Sequence, residues 1–263
     1  MFGRIYALAL NTFRDAIRKK ILYAIVVMVL GWNLFATVLG AMSWNEEARV
    51  ARDMGLFGVS AFGSVTAILL GVMLLYTEVQ KRTIHTLISK PLARFEFVLG
   101  KYLGMIMTLT LLVGLFVLTL AGLLFIQDIA FTSTVAKAAL LGYFEVLVVA
   151  AIAVFFSSFS SPFLSGVFAF GLFVLGRLTP EMRAATEHAE PMVASCAKWA
   201  LRIVPDLHLF SVSGGTVEGQ VVSVHGDHFV NWGYVWTSMA YGTVVIGALL
   251  LLSIVAFSKR DFV

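Results

Sequence analysis

The 263-residue chain is 60% hydrophobic and only 13% charged, with a mean hydropathy of +0.93, values outside soluble-protein usage that define an integral membrane protein. Its net charge of +4 could suit nucleic acid, but most Lys and Arg sit at the ends of apolar runs, where membrane proteins keep orienting charges, so nucleic-acid binding is excluded. The single cysteine, Cys196, excludes an intramolecular disulfide and any multi-cysteine metal cluster.

The chain opens with an amphipathic segment, 1–20. Ile5, Leu8, Ala9, Thr12, Phe13, Ala16 and Ile17 share one stripe, and Arg4, Asn11, Arg14 and Arg18 fall largely opposite. That pattern suits a helix lying in the membrane interface, or a cytoplasmic helix packed on the protein. No long apolar core precedes Ile21 and no cleavage site is evident, so a removable signal peptide is not expected.

Crossing roughly 30 Å of hydrocarbon takes about 20 helical residues. Uncharged runs of that size predict spans at 21–42, 54–76, 103–126 and 234–258. The apolar stretch between 138 and 178 is too long for one helix and holds SSFSSP at its middle. A serine cluster ending in proline breaks a helix, which predicts a hairpin of two spans, 138–158 and 162–178. The expected fold is thus an all-α polytopic membrane protein with six transmembrane helices in a single transmembrane domain. Residues 1–20, 77–101 and the tail SKRDFV hold five, five and two basic residues, whereas 179–233 holds three against six acidic ones. Both termini and 77–101 are expected in the cytoplasm, and 179–233, longer than a connector needs, is expected to fold into short external or re-entrant helices.

Between the second and third spans lies TEVQKRTIHTLISKPLARFEFVLGKYLG. Val79, Ile84, Leu87 and Ile88 form a short apolar face, Pro91 breaks the helix, and Phe95, Val98, Leu99 and Tyr102 lead into the third span. Such a segment can be a protruding contact surface, or a basic anchor on lipid headgroups worth about 1 kcal/mol per Lys or Arg. The residues alone leave both open.

Within the spans, Glu145 is a costly carboxylate about two turns from the outer end of the fourth helix, and Arg177 near the outer end of the fifth could pair with it. The pair suits a gate or substrate contact, or a structural ion pair. Gly58, Gly63 and Gly71 allow close helix approach, in which a dimer contact is one reading. His225-Gly226-Asp227-His228 could supply metal ligands, but two histidines in a glycine-containing loop read as solvated, and no metal is assigned.

The order Glu78, Lys81, Arg82, Thr83, Ile84, Leu87, Ser89, Lys90, Pro91, then Phe95, Glu96, Leu99, Gly100, Lys101 and Gly104 resembles the signature between the second and third helices of six-helix permease subunits of type-2 (type V fold) ABC exporters. NTFRDAIRKKIL and AFSKRDF resemble that family's entry helix and C-terminus. IVPDLHLFSVSGGTVEGQVVS is similar to the branch serving nitrous oxide reductase maturation and gliding machinery. The resemblance implies that residues 77–101 couple to a separate cytoplasmic ATPase through Glu78, Lys81, Arg82, Thr83, Ile84, Leu87, Ile88 and Pro91. It also implies a second permease copy in a homodimer, a dimer of ATPase subunits that binds the ATP and Mg, and the bacterial inner membrane as location.

No G-x-x-x-x-G-K-[ST] motif occurs in the chain, so it is expected to carry no ATPase activity or cofactor of its own. A membrane anchor without solute transport remains an alternative. An intramembrane lipid-modifying enzyme would need acids, histidines or a metal motif converging at one depth, which this sequence does not offer.

Overall fold

The computed structural model describes residues 2–18, 20–43, 47–80, 94–187, 195, 199, 201, 204–211, 215–217, 220–222 and 230–258. Eight helices carry these residues: α1 (Phe2–Arg18), α2 (Lys20–Met42), α3 (Glu47–Gln80), α4 (Arg94–Ile126), α5 (Ser133–Phe159), α6 (Pro162–Arg177), α7 (Thr179–Glu187) and α8 (Trp232–Ser258). A 3-10 turn, His208–Phe210, and two antiparallel three-residue strands, β1 (Gly215–Val217) and β2 (Gln220–Val222), lie between α7 and α8.

Five of these helices, α2, α3, α4, α5 and α8, are long and apolar enough to cross a membrane. The expected fifth span, 162–178, is different. At 16 residues α6 rises about 24 Å, short of the hydrocarbon thickness. It becomes a sixth span only when joined to α7 across a bend of 63°. The bend falls at Leu178, two residues before Pro180, which in a continuous helix would crowd the Gly176 carbonyl and offer it no N–H; Gly176 O accepts from Thr179 Oγ1 and the Leu207 N–H instead. The expected hairpin is present. Phe159 ends α5, the Ser160 N–H closes on Phe156 O at 3.0 Å, and Pro162 occupies the first turn of α6, where its missing donor costs nothing.

The other boundaries move outward. α3 runs 34 residues and α4 runs 33, so Phe95–Gly104 is the first part of the third membrane helix rather than a separate short one. Residues 81–93, which include Lys81, Arg82, Thr83, Ile84, Leu87, Ile88 and Pro91, lie outside the described residues, as do His225 to His228.

The most deeply placed helix is α5, in which every residue from Val146 to Val154 is buried. α3 runs along it with a stripe of small residues. A Cβ at Gly63 would stand 2.6 Å from Val146 Cγ2, and one at Gly71 2.7 Å from Ala153 Cβ; Ala67 between them is wholly buried. Gly58 meets Trp32 of α2 and Phe116 of α4. The glycines of this span therefore serve contacts inside one chain, and the dimer reading of them is corrected. Small residues let backbones approach where lipid supplies no hydrophobic drive between helices.

α2 packs on α3 and α4, tied by Asn33 Nδ2 donating to Thr119 Oγ1 at 2.7 Å and by Trp32 Nε1 donating to Met54 O at 2.8 Å. Its opposite stripe, Tyr23, Val27, Leu30, Leu34 and Val38, is exposed and apolar, as a lipid-facing surface is. α1 lays Ile5, Ala9, Thr12 and Ala16 against α4, so its apolar stripe is buried on protein.

Candidate functional site

One polar cluster sits where α3, α5, α6 and the 204–211 segment meet. The stripe that gives α3 its close approach to α5 continues to Ser60, three residues before Gly63, so the Ser60 hydroxyl lies against α5 at Glu145, which precedes Val146. Ser60 Oγ donates to Glu145 Oε2. Glu145 is fully buried. The last residue of α6, Arg177, brings its Nε to 3.3 Å from Glu145 Oε1, with its side chain 22% exposed. The pairing expected between these two residues is present.

The guanidinium is held on further sides. Phe173, one turn back on α6, lies 5.8 Å below it, a cation–π distance. Arg177 Nη2 donates to Ser211 Oγ at 3.0 Å. Ser60, Gly142, Glu145, Arg177 and Ser211 border a cavity of about 20 Å³, room for about one water molecule and too small for an organic solute.

Ser211 is in place because the segment before it is firmly seated. Leu207 and Phe210 are buried. Leu207 fills a notch that Gly176 leaves open: a Cβ there would stand 2.8 Å from both Leu207 Cγ and Pro205 O. The Leu207 N–H donates to Gly176 O at 3.0 Å. Tyr234 on α8 donates to Leu209 O at 2.8 Å, and the Asp206 N–H donates to the Tyr241 hydroxyl at 2.9 Å. Arg183 on α7 pairs with Asp206 at 2.9 Å. The rest of this rim is tied in the same way, with Arg52 donating to Ala130 O and Lys137 to Val230 O.

A buried charge is tolerated when paired and hydrogen-bonded; removing one partner typically costs about 3–5 kcal/mol. Glu145 and Arg177 are paired and each has a hydrogen bond, Glu145 Oε2 from Ser60 and Arg177 Nη2 to Ser211, while Glu145 Oε1 accepts none from the described residues. Ser60 and Ser211 were not singled out in sequence. Ser60 carried a usable signal, its i−3 spacing from Gly63; Ser211 carried none, because its position depends on a chain reversal 34 residues beyond Arg177.

Of the stretch between the second and third spans, only its two ends fall among the described residues. Glu78 is in the last turn of α3, whose backbone continues to Gln80. On α4, Glu96 and Lys101 are buried, and Lys101 Nζ lies 5.6 Å from the centroid of Phe97, which stacks on Phe257 of α8. Lys101 is thus a packed residue rather than a headgroup anchor. Gly100 and Gly104 face α1: a Cβ on the first would stand 2.7 Å from Leu8 Cδ2 and on the second 2.6 Å from Ala9 O. Among the described residues no group of three or more His, Cys, Asp or Glu is placed to hold a metal.

Comparison with family models finds a match over residues 6–262 to the family described as ABC-2 family transporter protein. Comparison with curated proteins finds no match.

Proposed function

The chain belongs to the ABC-2 transporter family, and from that premise we propose that it is the permease subunit of an ATP-driven exporter, driven by a separate cytoplasmic ATPase. Family membership makes it a multi-pass membrane component of an ABC transporter, a class that pairs with an ABC ATPase. The finer reading adds an outward direction, a homodimer of permeases on a dimer of ATPase subunits that bind the ATP and Mg, no catalysis by this chain itself, and both termini on the cytoplasmic side of the bacterial inner membrane.

The observation that carries it is the family match over nearly the whole chain. The basic stretch supports the coupling role. α3 ends at Gln80 and α4 begins at Arg94, so the stretch is flanked in sequence by two long helices that pack on the rest of the bundle. A push on that stretch would move α3 and α4 as rigid bodies, the way a local nucleotide event becomes a domain movement. The likeness of 203–223 to the nitrous-oxide-reductase and gliding branch belongs to the same reading.

The test is a mild-detergent purification of tagged protein, with the co-purifying ATPase identified and its turnover measured. The reading expects an ABC ATPase in equal amount. Changing Leu87 and Ile88 to Asp should leave the permease inserted and monodisperse but abolish ATPase recovery. Recovery of the ATPase at full stoichiometry by that variant would sink the coupling assignment, and recovery of none by the parent protein would favour an anchor role.

A further inference from the structure

We propose that the 204–211 segment is an outer gate, latched shut by the guanidinium of Arg177, which bridges Glu145 on α5 and Ser211 on the segment. The proposal rests on the transport reading above and on its orientation, which puts this end of the bundle outside.

Arg177 is divided between two partners. Its Nε faces Glu145 at 3.3 Å while its Nη2 binds Ser211 at 3.0 Å. One cation therefore joins a fixed helix to the cover over it. The cover is seated by Leu207 in the Gly176 notch, Phe210 against Gly242, the Leu207 N–H on Gly176 O and the Arg183–Asp206 pair. The tyrosines of α8, Tyr234 and Tyr241, hold its backbone. It could leave as a unit, with the helices beneath it keeping their own hydrogen bonds.

What lies beside the cover is not wholly apolar. Ser60 and the fully buried carboxylate of Glu145 line the cavity together with Leu56, Ala138 and Gly142. An apolar floor would oppose the entry of water, holding the cover down permanently. Glu145 Oε1 faces Arg177 as an ion pair but accepts no hydrogen bond from the described residues, so water entering the cavity supplies a donor that the closed cluster lacks and can take over the contacts Arg177 gives up. The cluster can therefore exist closed or wetted, the two arrangements a gate requires. A purely structural ion pair would not need its cation to hold the cover as well.

The experiment uses the full chain with Cys196→Ser and a reporter, Gly142→Cys, in proteoliposomes. A Cβ at Gly142 meets only Val59 Cγ1, at 3.6 Å, so the reporter fits beside the cavity. A small impermeant methanethiosulfonate is added from outside. Labelling should be slow with the latch intact. It should be about tenfold faster or more in Ser211→Ala, since a hydrogen bond to a charged group is lost. Ser211→Thr, which keeps the hydroxyl, should restore slow labelling. Arg177→Lys, which keeps a cation by Glu145 but offers a single nitrogen, should label fast and serves if Ser211→Ala does not fold. Equal rates in a folded Ser211→Ala and its parent, or fast labelling of the parent, overturn the latch. The measurement needs neither ATP nor partner, so failure of the latch and failure to recover an ATPase are told apart.

Discussion

The two ends of the bundle hold their helices together by different means. Where α1 crosses α4, contact depends on absent side chains: Gly100 and Gly104 let Leu8 and the backbone of Ala9 approach to distances no Cβ would permit. Around Glu145, contact depends on polar atoms converging from four elements, with Ser60 and Arg177 on the carboxylate and Ser211 on the guanidinium of Arg177. The first kind of contact is rigid, because any displacement opens a void. The second can exchange its partners for water, and it stands at the end where an outer gate is proposed. The contrast is between helix contacts built on small residues, α1 on α4 and α3 on α5, and a polar cluster whose contacts water can replace.

The comparison breaks most readily at Arg177. Arg177→Ala leaves Glu145 buried with one hydroxyl partner and should cost about 3–5 kcal/mol, read as a lower midpoint in detergent denaturation. The double variant Arg177→Ala with Glu145→Ala should recover much of that loss; a strictly additive loss would show that the two charges do not act as a pair. At the other end, Gly104→Val drives a branched side chain into Ala9 O and Thr12 and should cost about 1–3 kcal/mol by overpacking, with α1 becoming more susceptible to proteolysis. The smallest effect sharpens the contrast. Ser60→Ala should cost only about 1–2 kcal/mol, the loss of one hydrogen bond to a charged acceptor, with the α3–α5 contact at Gly63 and Gly71 unchanged; loss of that contact would mean that Ser60 holds the seam as well.

Much of this was legible before any coordinates. The Ser157–Pro162 cluster marked the hairpin because serine and proline act on their own backbone. Glu145 and Arg177 stood out because charge is rare inside spans, and a helical hairpin brings their depths together. The bent α6–α7 pair was missed although Pro180 was in view, since an apolar run of 16 residues ending in arginine looks like a short span until its axis is measured. α1 showed its stripe plainly, but amphipathicity does not say whether lipid or protein will cover the apolar face.

Composition and pattern alone determined that the chain lives in a membrane, how many apolar segments it has and which of them carry charge, because hydropathy and helix period are local properties. Tertiary structure alone decided what the glycines of α3 pack against, that Lys101 is buried, and that a serine 34 residues beyond Arg177 shares its guanidinium. Those outcomes depend on which surfaces meet when distant segments fold back on one another, and no local property of the sequence encodes that meeting.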